Sequence, residues 1–211
     1  LGANGGEIRV ATGQTLTYEG TMAGASLTKG GAGLLSLSGA NTFNGGVNLN
    51  AGTLRLGSAG AIGTAGTITF GGGTLQFTAD NTTDYGSRFA TAASQAFNID
   101  TNGQDVRFAS TVASAGGTLA KSGEGTLTLE SATYDGATAI NAGSLVIESD
   151  SAVLSSSGCS GAGTLIIEPL SESFSSPVTI DTTKFSSLGG LTLGKAGNET
   201  AIVINAELVL D

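Results

Sequence analysis

The segment Thr118-Leu-Ala-Lys-Ser-Gly-Glu-Gly-Thr-Leu-Thr-Leu129 decides the fold, because a near copy stands earlier as Ser26-Leu-Thr-Lys-Gly-Gly-Ala-Gly-Leu-Leu-Ser-Leu37. Each reads as a short strand, a glycine turn and a second strand with alternating leucines. A side-chain period of two puts the leucines on one face of the strand. One such unit cannot bury that face alone, so it needs a neighbour of the same kind.

Working outward, two nested periods appear. Lys29 maps on Lys121 and Gly33 on Gly125, an offset of 92 residues. Phe43 maps on Tyr134 and Gly52 on Gly143 at 91, and Leu75 on Leu165 at 90. The chain therefore divides into repeat units of about 7–96 and 97–187 with a partial third at 188–211, all within one segment of 1–211. Inside each unit, apolar pairs at i, i+2 recur: Leu16/Tyr18, Leu35/Leu37, Leu54/Leu56, Leu75/Phe77, Val106/Phe108, Leu127/Leu129, Leu145/Ile147 and Leu165/Ile167. Leu191/Leu193 and Leu208/Leu210 extend the series. A second series runs through Val47/Leu49, Ile68/Phe70, Phe97/Ile99 and Ile140. Most steps are 18 to 21 residues, but Leu75 to Val106 spans 31, which marks an insertion.

Repetition of strand pairs every twenty or so residues stacks like on like. The expectation is an all-β chain, a right-handed parallel β-helix (β-solenoid) of about ten coils. At ~4.8 Å per coil the rod would be roughly 45–50 Å long. The leucine pairs should form one continuous column, with Leu127 facing inward and Glu130 outward. Paired glycines such as Gly30-Gly31 and Gly116-Gly117 suit the bends. Asn41, Asn44, Asn50 and Asn141 also suit corners, where stacked amides can ladder. Helical spacing is sustained nowhere, and the best helical candidate, Arg88 to Phe97, reads as loop.

Composition narrows function by exclusion. Of 211 residues 35 are glycine and 2 proline, yet aliphatic residues recur throughout, unlike a disordered linker. The formal charge is −9 with no cluster of lysine or arginine, which argues against nucleic acid as a partner. No apolar run approaches the ~20 residues a membrane-spanning helix needs, so any membrane attachment would come through parts outside this segment. Cys159 has no second cysteine to pair with and reads as a small buried side chain. The start at Leu1-Gly2 suggests a piece of something longer.

The run Leu27-Thr-Lys-Gly-Gly-Ala-Gly-Leu-Leu-Ser-Leu-Ser-Gly-Ala-Asn-Thr-Phe-Asn-Gly-Gly46 resembles the passenger-associated repeat of autotransporter passenger domains. A second copy spans Leu119 to Gly136, with Glu-Ser-Ala-Thr-Tyr in place of Ser-Gly-Ala-Asn-Thr-Phe. Asn50-Ala-Gly-Thr-Leu54 and Asn141-Ala-Gly-Ser-Leu145 follow the two copies. The resemblance covers about residues 7–168; Leu188 to Lys195 is similar to repeats of large surface adhesins. It implies a secreted bacterial protein at the cell surface, attached to the outer membrane, that works in adhesion, aggregation or biofilm.

Catalytic chemistry finds little support. With no histidine and one cysteine, histidine-based nucleophile systems and Cys- or His-rich metal sites are excluded. Gly189-Gly-Leu-Thr-Leu-Gly-Lys195 misses the hydroxyl of a phosphate loop because Ala196 follows. Glu124, Glu130 and Asp135 read as solvated charges. No cofactor or metal is expected, and the chain is read as not an enzyme. The insertion Ala79–Gln95 is the binding candidate, since long loops on regular scaffolds carry function. Asp80, Asn81, Asp84, Tyr85 and Arg88 form the mix that meets sugars or partner chains. The expected role is a stiff adhesive shaft, with glycans or host-surface molecules as partners and self-association end to end or side by side. The alternative is a carbohydrate-active or carbohydrate-binding β-helix acting through that insertion.

Overall fold

The computed structural model describes residues 1–149, 158–171, 173–175, 178–180, 184–197, 199 and 202–204. The first strands are β1 (Gly6–Arg9), β2 (Thr15–Tyr18), β3 (Leu27–Gly30), β4 (Leu34–Leu37), β5 (Val47–Leu49), β6 (Thr53–Leu56), β7 (Ile68–Phe70) and β8 (Thr74–Gln76). A 3-10 turn at Gly86–Arg88 follows. Then come β9 (Ala96–Asp100), β10 (Val106–Phe108), β11 (Thr118–Ser122), β12 (Thr126–Leu129), β13 (Thr138–Ile140) and β14 (Ser144–Glu148). The series closes with β15 (Cys159–Ser160), β16 (Thr164–Glu168), β17 (Val178–Ile180), β18 (Phe185–Ser186), β19 (Gly190–Leu193) and β20 (Ile202–Ile204). The expected loop at Arg88 to Phe97 thus begins in the 3-10 turn and ends inside β9. Leu208/Leu210 lies outside the described residues.

The strands pair in parallel, each with the strand one coil away. One sheet is β1-β3-β5-β7, a second is β2-β4-β6-β8-β9-β11-β13-β15-β18, a third is β10-β12-β14-β16-β19, and β17 pairs with β20. This is the β-solenoid the strand periodicity implies. Among the described residues its longest ladder stacks nine strands, short of the ten coils expected. The remaining side of each coil is irregular, yet it too is hydrogen bonded coil to coil: Thr42 N donates to Met22 O at 2.8 Å and Asn41 N to Gly60 O at 3.0 Å.

Inward positions are the i, i+2 pairs. Leu35, Leu54 and Leu75 stack in register and are fully buried, as are Leu127, Leu145 and Leu165. Leu16 and Tyr18 are 42% and 39% exposed because β2 ends its ladder and nothing packs beneath it. Corners are sharp where the sequence places glycine. Gly31 and Gly123, offset by 92, have φ of +68° and +70°. A Cβ on Gly31 would lie 2.3 Å from Val10 O, so the neighbouring coil excludes any side chain there.

The single column of leucine pairs does not form. It breaks at the insertion, and the two apolar series exchange places. Leu75 of β8 is followed in its ladder by Ile99 of β9, not by Val106. Val106 of β10 instead founds the third sheet under Leu127. Four ladder steps from Leu35, through Leu54, Leu75 and Ile99, reach Lys121, a span of 86 residues. The repeat offset is 92, six residues more, which is the distance from Lys29 to Leu35 on the next strand. One repeat unit is therefore four coils plus one side. Equivalent residues of the two units point in different directions from the axis: Lys29 stacks between Ile8 and Leu49, Lys121 between Ile99 and Ile140.

Candidate functional site

The insertion fills the place where this sideways step occurs. Its first part is a small turn in which Asn81 N donates to Thr78 O at 3.0 Å. Asn81 is buried, and its amide donates to Ser58 O at 2.6 Å on the coil below and to the Tyr85 hydroxyl at 2.9 Å. Tyr85 OH lies 3.2 Å from Asn81 Oδ1, which also accepts from Thr83 N. Asp84 reaches the other way. Its Oδ1 accepts from Gly86 N at 2.7 Å and its Oδ2 from Ala109 N at 2.9 Å, just beyond β10 on the coil above.

Arg88 is the most heavily used side chain of the group. Its guanidinium donates to four carbonyls of the coil below: Gly66 at 2.8 Å, Gly63 at 2.9 Å, Ile62 at 3.1 Å and Ala65 at 2.6 Å. Its Cζ also lies 5.5 Å from the centre of the Tyr85 ring. The planar fork of arginine suits this loop, whose carbonyls fan out around one point. Burial lowers the proton affinity of the guanidinium, and Tyr85 opposes that shift. Among the described residues, no ion pair joins Arg88 to Asp80 or Asp84. Asp80 is exposed at the tip of the turn. Of the five candidate residues, four are brought together and bonded within the solenoid, and Asp80 faces solvent.

A second set of polar groups was not expected inside. Lys29 and Lys121 are fully buried. Lys29 Nζ donates to Gly30 O at 2.9 Å, Gly31 O at 2.8 Å and Ala51 O at 3.0 Å. Lys121 Nζ repeats the pattern with Ser122 O at 3.0 Å, Gly123 O at 2.6 Å and Ala142 O at 3.0 Å. Each ammonium thus ties the bend of its own coil to the bend of the next. Burial lowers the proton affinity of both amines; at Lys121 the charges of Asp100 and Glu124 oppose the shift. Three carbonyl acceptors match the three donors that only the protonated amine has. Thr101, also fully buried, adds a hydroxyl to the same corner, donating to Glu124 O at 2.7 Å. The signal was available: Lys29 and Lys121 stand two residues after Leu27 and Leu119, on the buried face of their strands.

Outward faces carry polar rows that run from coil to coil. Arg55 Nε donates to Gln76 Oε1 at 2.5 Å, and Gln76 Nε2 to Asp100 Oδ2 at 2.6 Å. Arg107 bonds Glu130 at 2.8 Å and grips Glu148 with two nitrogens at 2.9 and 2.6 Å. Hydrogen bonding from Arg107 and its charge hold the Glu148 carboxyl below the usual carboxylate range, against some desolvation. Glu130 does point outward, while Glu124 is exposed in its turn and Asp135 accepts from Gly116 N. Among the described residues, no side-chain hydrogen bond joins Asn41, Asn44, Asn50 or Asn141 to another of the four. Asn41 instead bridges backbone, accepting from Met22 N at 2.7 Å and donating to Ala61 O at 2.6 Å. Cys159 is buried, which pushes its thiol up to about 12. Among the described residues, no group of three or more Asp, Glu, Cys or His side chains could hold a metal ion.

Two stretches, residues 27–56 and 119–147, match the passenger-associated-transport-repeat family. Each match opens on a strand that carries a buried lysine and runs through the strand pair above it. No curated protein and no solved structure matches the chain significantly. The repeats and the β-solenoid fit a passenger-like structural segment rather than a catalytic family.

Proposed function

We propose that this segment is a stiff shaft, secreted to the bacterial surface, that spaces or presents adhesive parts in attachment, aggregation or biofilm. One observation carries the reading: the polar groups richest in chemistry are spent on coil-to-coil bonds. Arg88, Asp84, Lys29 and Lys121 bond the backbone of adjoining coils rather than lining a cleft. Exposed aromatic surface, the usual platform for a sugar ring, is confined to Tyr18 among the large exposed apolar side chains described. Among the described residues, nine stacked strands at ~4.8 Å give a rod of roughly 40 Å, stiff because each strand of that ladder is hydrogen bonded to the next.

The test displays the chain on cells through an unrelated outer-membrane anchor. Cells carrying it should aggregate or adhere more than cells carrying the anchor alone. Equal behaviour would remove the adhesive part of the proposal and leave the spacer. Turnover of an acidic polysaccharide by the purified chain, lost in Asp84→Ala but not in a folded control, would overturn the shaft reading in favour of an enzyme.

A further inference from the structure

We infer that the junction coil, residues 70–108, is the stability core of the rod, the last part to open while coils on either side unravel. The hydrogen-bond ladders alone would point the other way. The first sheet stops at β7 and the third starts at β10, so only the β8–β9 pairing carries a strand ladder across the step. What replaces the missing ladders is aromatic packing. Phe89 lies 4.9 Å from Phe70, 5.9 Å from Phe97 and 5.0 Å from Phe108, centre to centre. Phe70 meets Phe97 at 5.3 Å, Phe77 meets Phe108 at 6.0 Å and Tyr85 at 6.4 Å, and Phe97 reaches Tyr134 at 6.3 Å. All of these rings are buried. Elsewhere the core is mainly Leu, Ile and Val, which bury less area per side chain.

Three further features act in the same direction. The open edge of β7 is closed by Ala90 N donating to Ile68 O at 2.9 Å and by Gln95 Oε1 accepting from Phe70 N at 2.9 Å. Arg88 and Asp84 latch the insertion to the coil below and the coil above. Gly86 is the sole glycine between Gly73 and Gly103, whereas 35 glycines are spread over the whole chain. Glycine loses the most backbone freedom on ordering, so a glycine-poor stretch is cheaper to fix.

Residue-resolved hydrogen exchange on the whole chain tests this. The amides of Phe77 and Ala90, bonded to Asp100 O and Ile68 O, should exchange about tenfold or more slowly than those of Leu34 and Thr53, which are also bonded to backbone carbonyls. Phe97→Leu, a substitution mild enough to leave the chain folded, should speed exchange in coils on both sides. Val47→Ala should speed it only in adjoining coils. Junction amides that exchange as fast as the flanks, or first, would overturn the inference and make the junction a hinge. A purely local effect of Phe97→Leu would overturn it equally.

Discussion

Replacing Lys121 by Met removes an ammonium and keeps a flexible stem of similar length. The side chain is fully buried, and its three bonds to Ser122 O, Gly123 O and Ala142 O are all lost. Hydrogen bonds that involve a charge contribute about 1.5–3 kcal/mol each. One of the three carbonyls keeps a partner: Thr101 N still donates to Ser122 O at 3.1 Å, whereas the single proton of the Thr101 hydroxyl goes to Glu124 O at 2.7 Å and not to Gly123 O. Ala142 O has Lys121 as its donor, so its loss counts in full. The variant is also spared the desolvation of a buried ammonium, which offsets part of the loss. The balance is a destabilisation of about 2–4 kcal/mol. Urea unfolding followed by far-ultraviolet circular dichroism measures it as a lower midpoint at unchanged slope. Arg55→Ala, which breaks an outward row, serves as control and should cost about 1 kcal/mol or less. A Lys121→Met chain as stable as the wild type, or more so, would refute the reasoning. It would mean that the lysine is buried at a net cost and that water satisfies the corner equally well.

Leu127→Asp should prevent folding, because the position is fully buried between Val106 and Leu145 and an unpaired carboxylate there has no partner; a folded strand-rich spectrum would contradict the register. Arg88→Met should destabilise by about 2–4 kcal/mol through the loss of four hydrogen bonds, three of them partly buried, while Asp80→Ala should stay within about 0.5 kcal/mol, both read by thermal unfolding. Glu148 has its folded-state pKa depressed by Arg107, so its contribution is present above the ordinary glutamate range and is lost as pH falls through the lower folded value. The stability gap between wild type and Arg107→Ala, measured from neutral pH downward, should therefore close in acid; a gap that does not narrow as the pH falls would exclude this ion pair as its cause.

Much of this molecule was legible because the signals are local and repeated. Alternation at Leu35/Leu37 or Leu145/Ile147 fixes which side chains face inward, since one residue of slip would turn every leucine to solvent. Glycines such as Gly31 and Gly123 mark bends because only their backbone enters that conformation freely, and the chain spaces them by one repeat. The insertion was visible as the long step from Leu75 to Val106. The sequence by itself therefore determined a stack of parallel strands, its inward faces and the place of its interruption.

Which column follows which was a tertiary decision. The pairs Leu75/Phe77, Phe97/Ile99 and Val106/Phe108 look alike as patterns, and nothing in their spacing says that Ile99 rather than Val106 succeeds Leu75. The choice falls to packing across the insertion, where Phe89 lands on Ile68 and Arg88 finds four carbonyls converging from one loop. The same holds for the polar groups. Asp84 and Arg88 have the composition of a binding surface, but neighbouring coils supply partners 22 to 26 residues away, and those distances exist only once the coils are stacked. Lysine is likewise soluble by its chemistry and buried here because three backbone carbonyls, drawn from two coils, meet at the end of its chain.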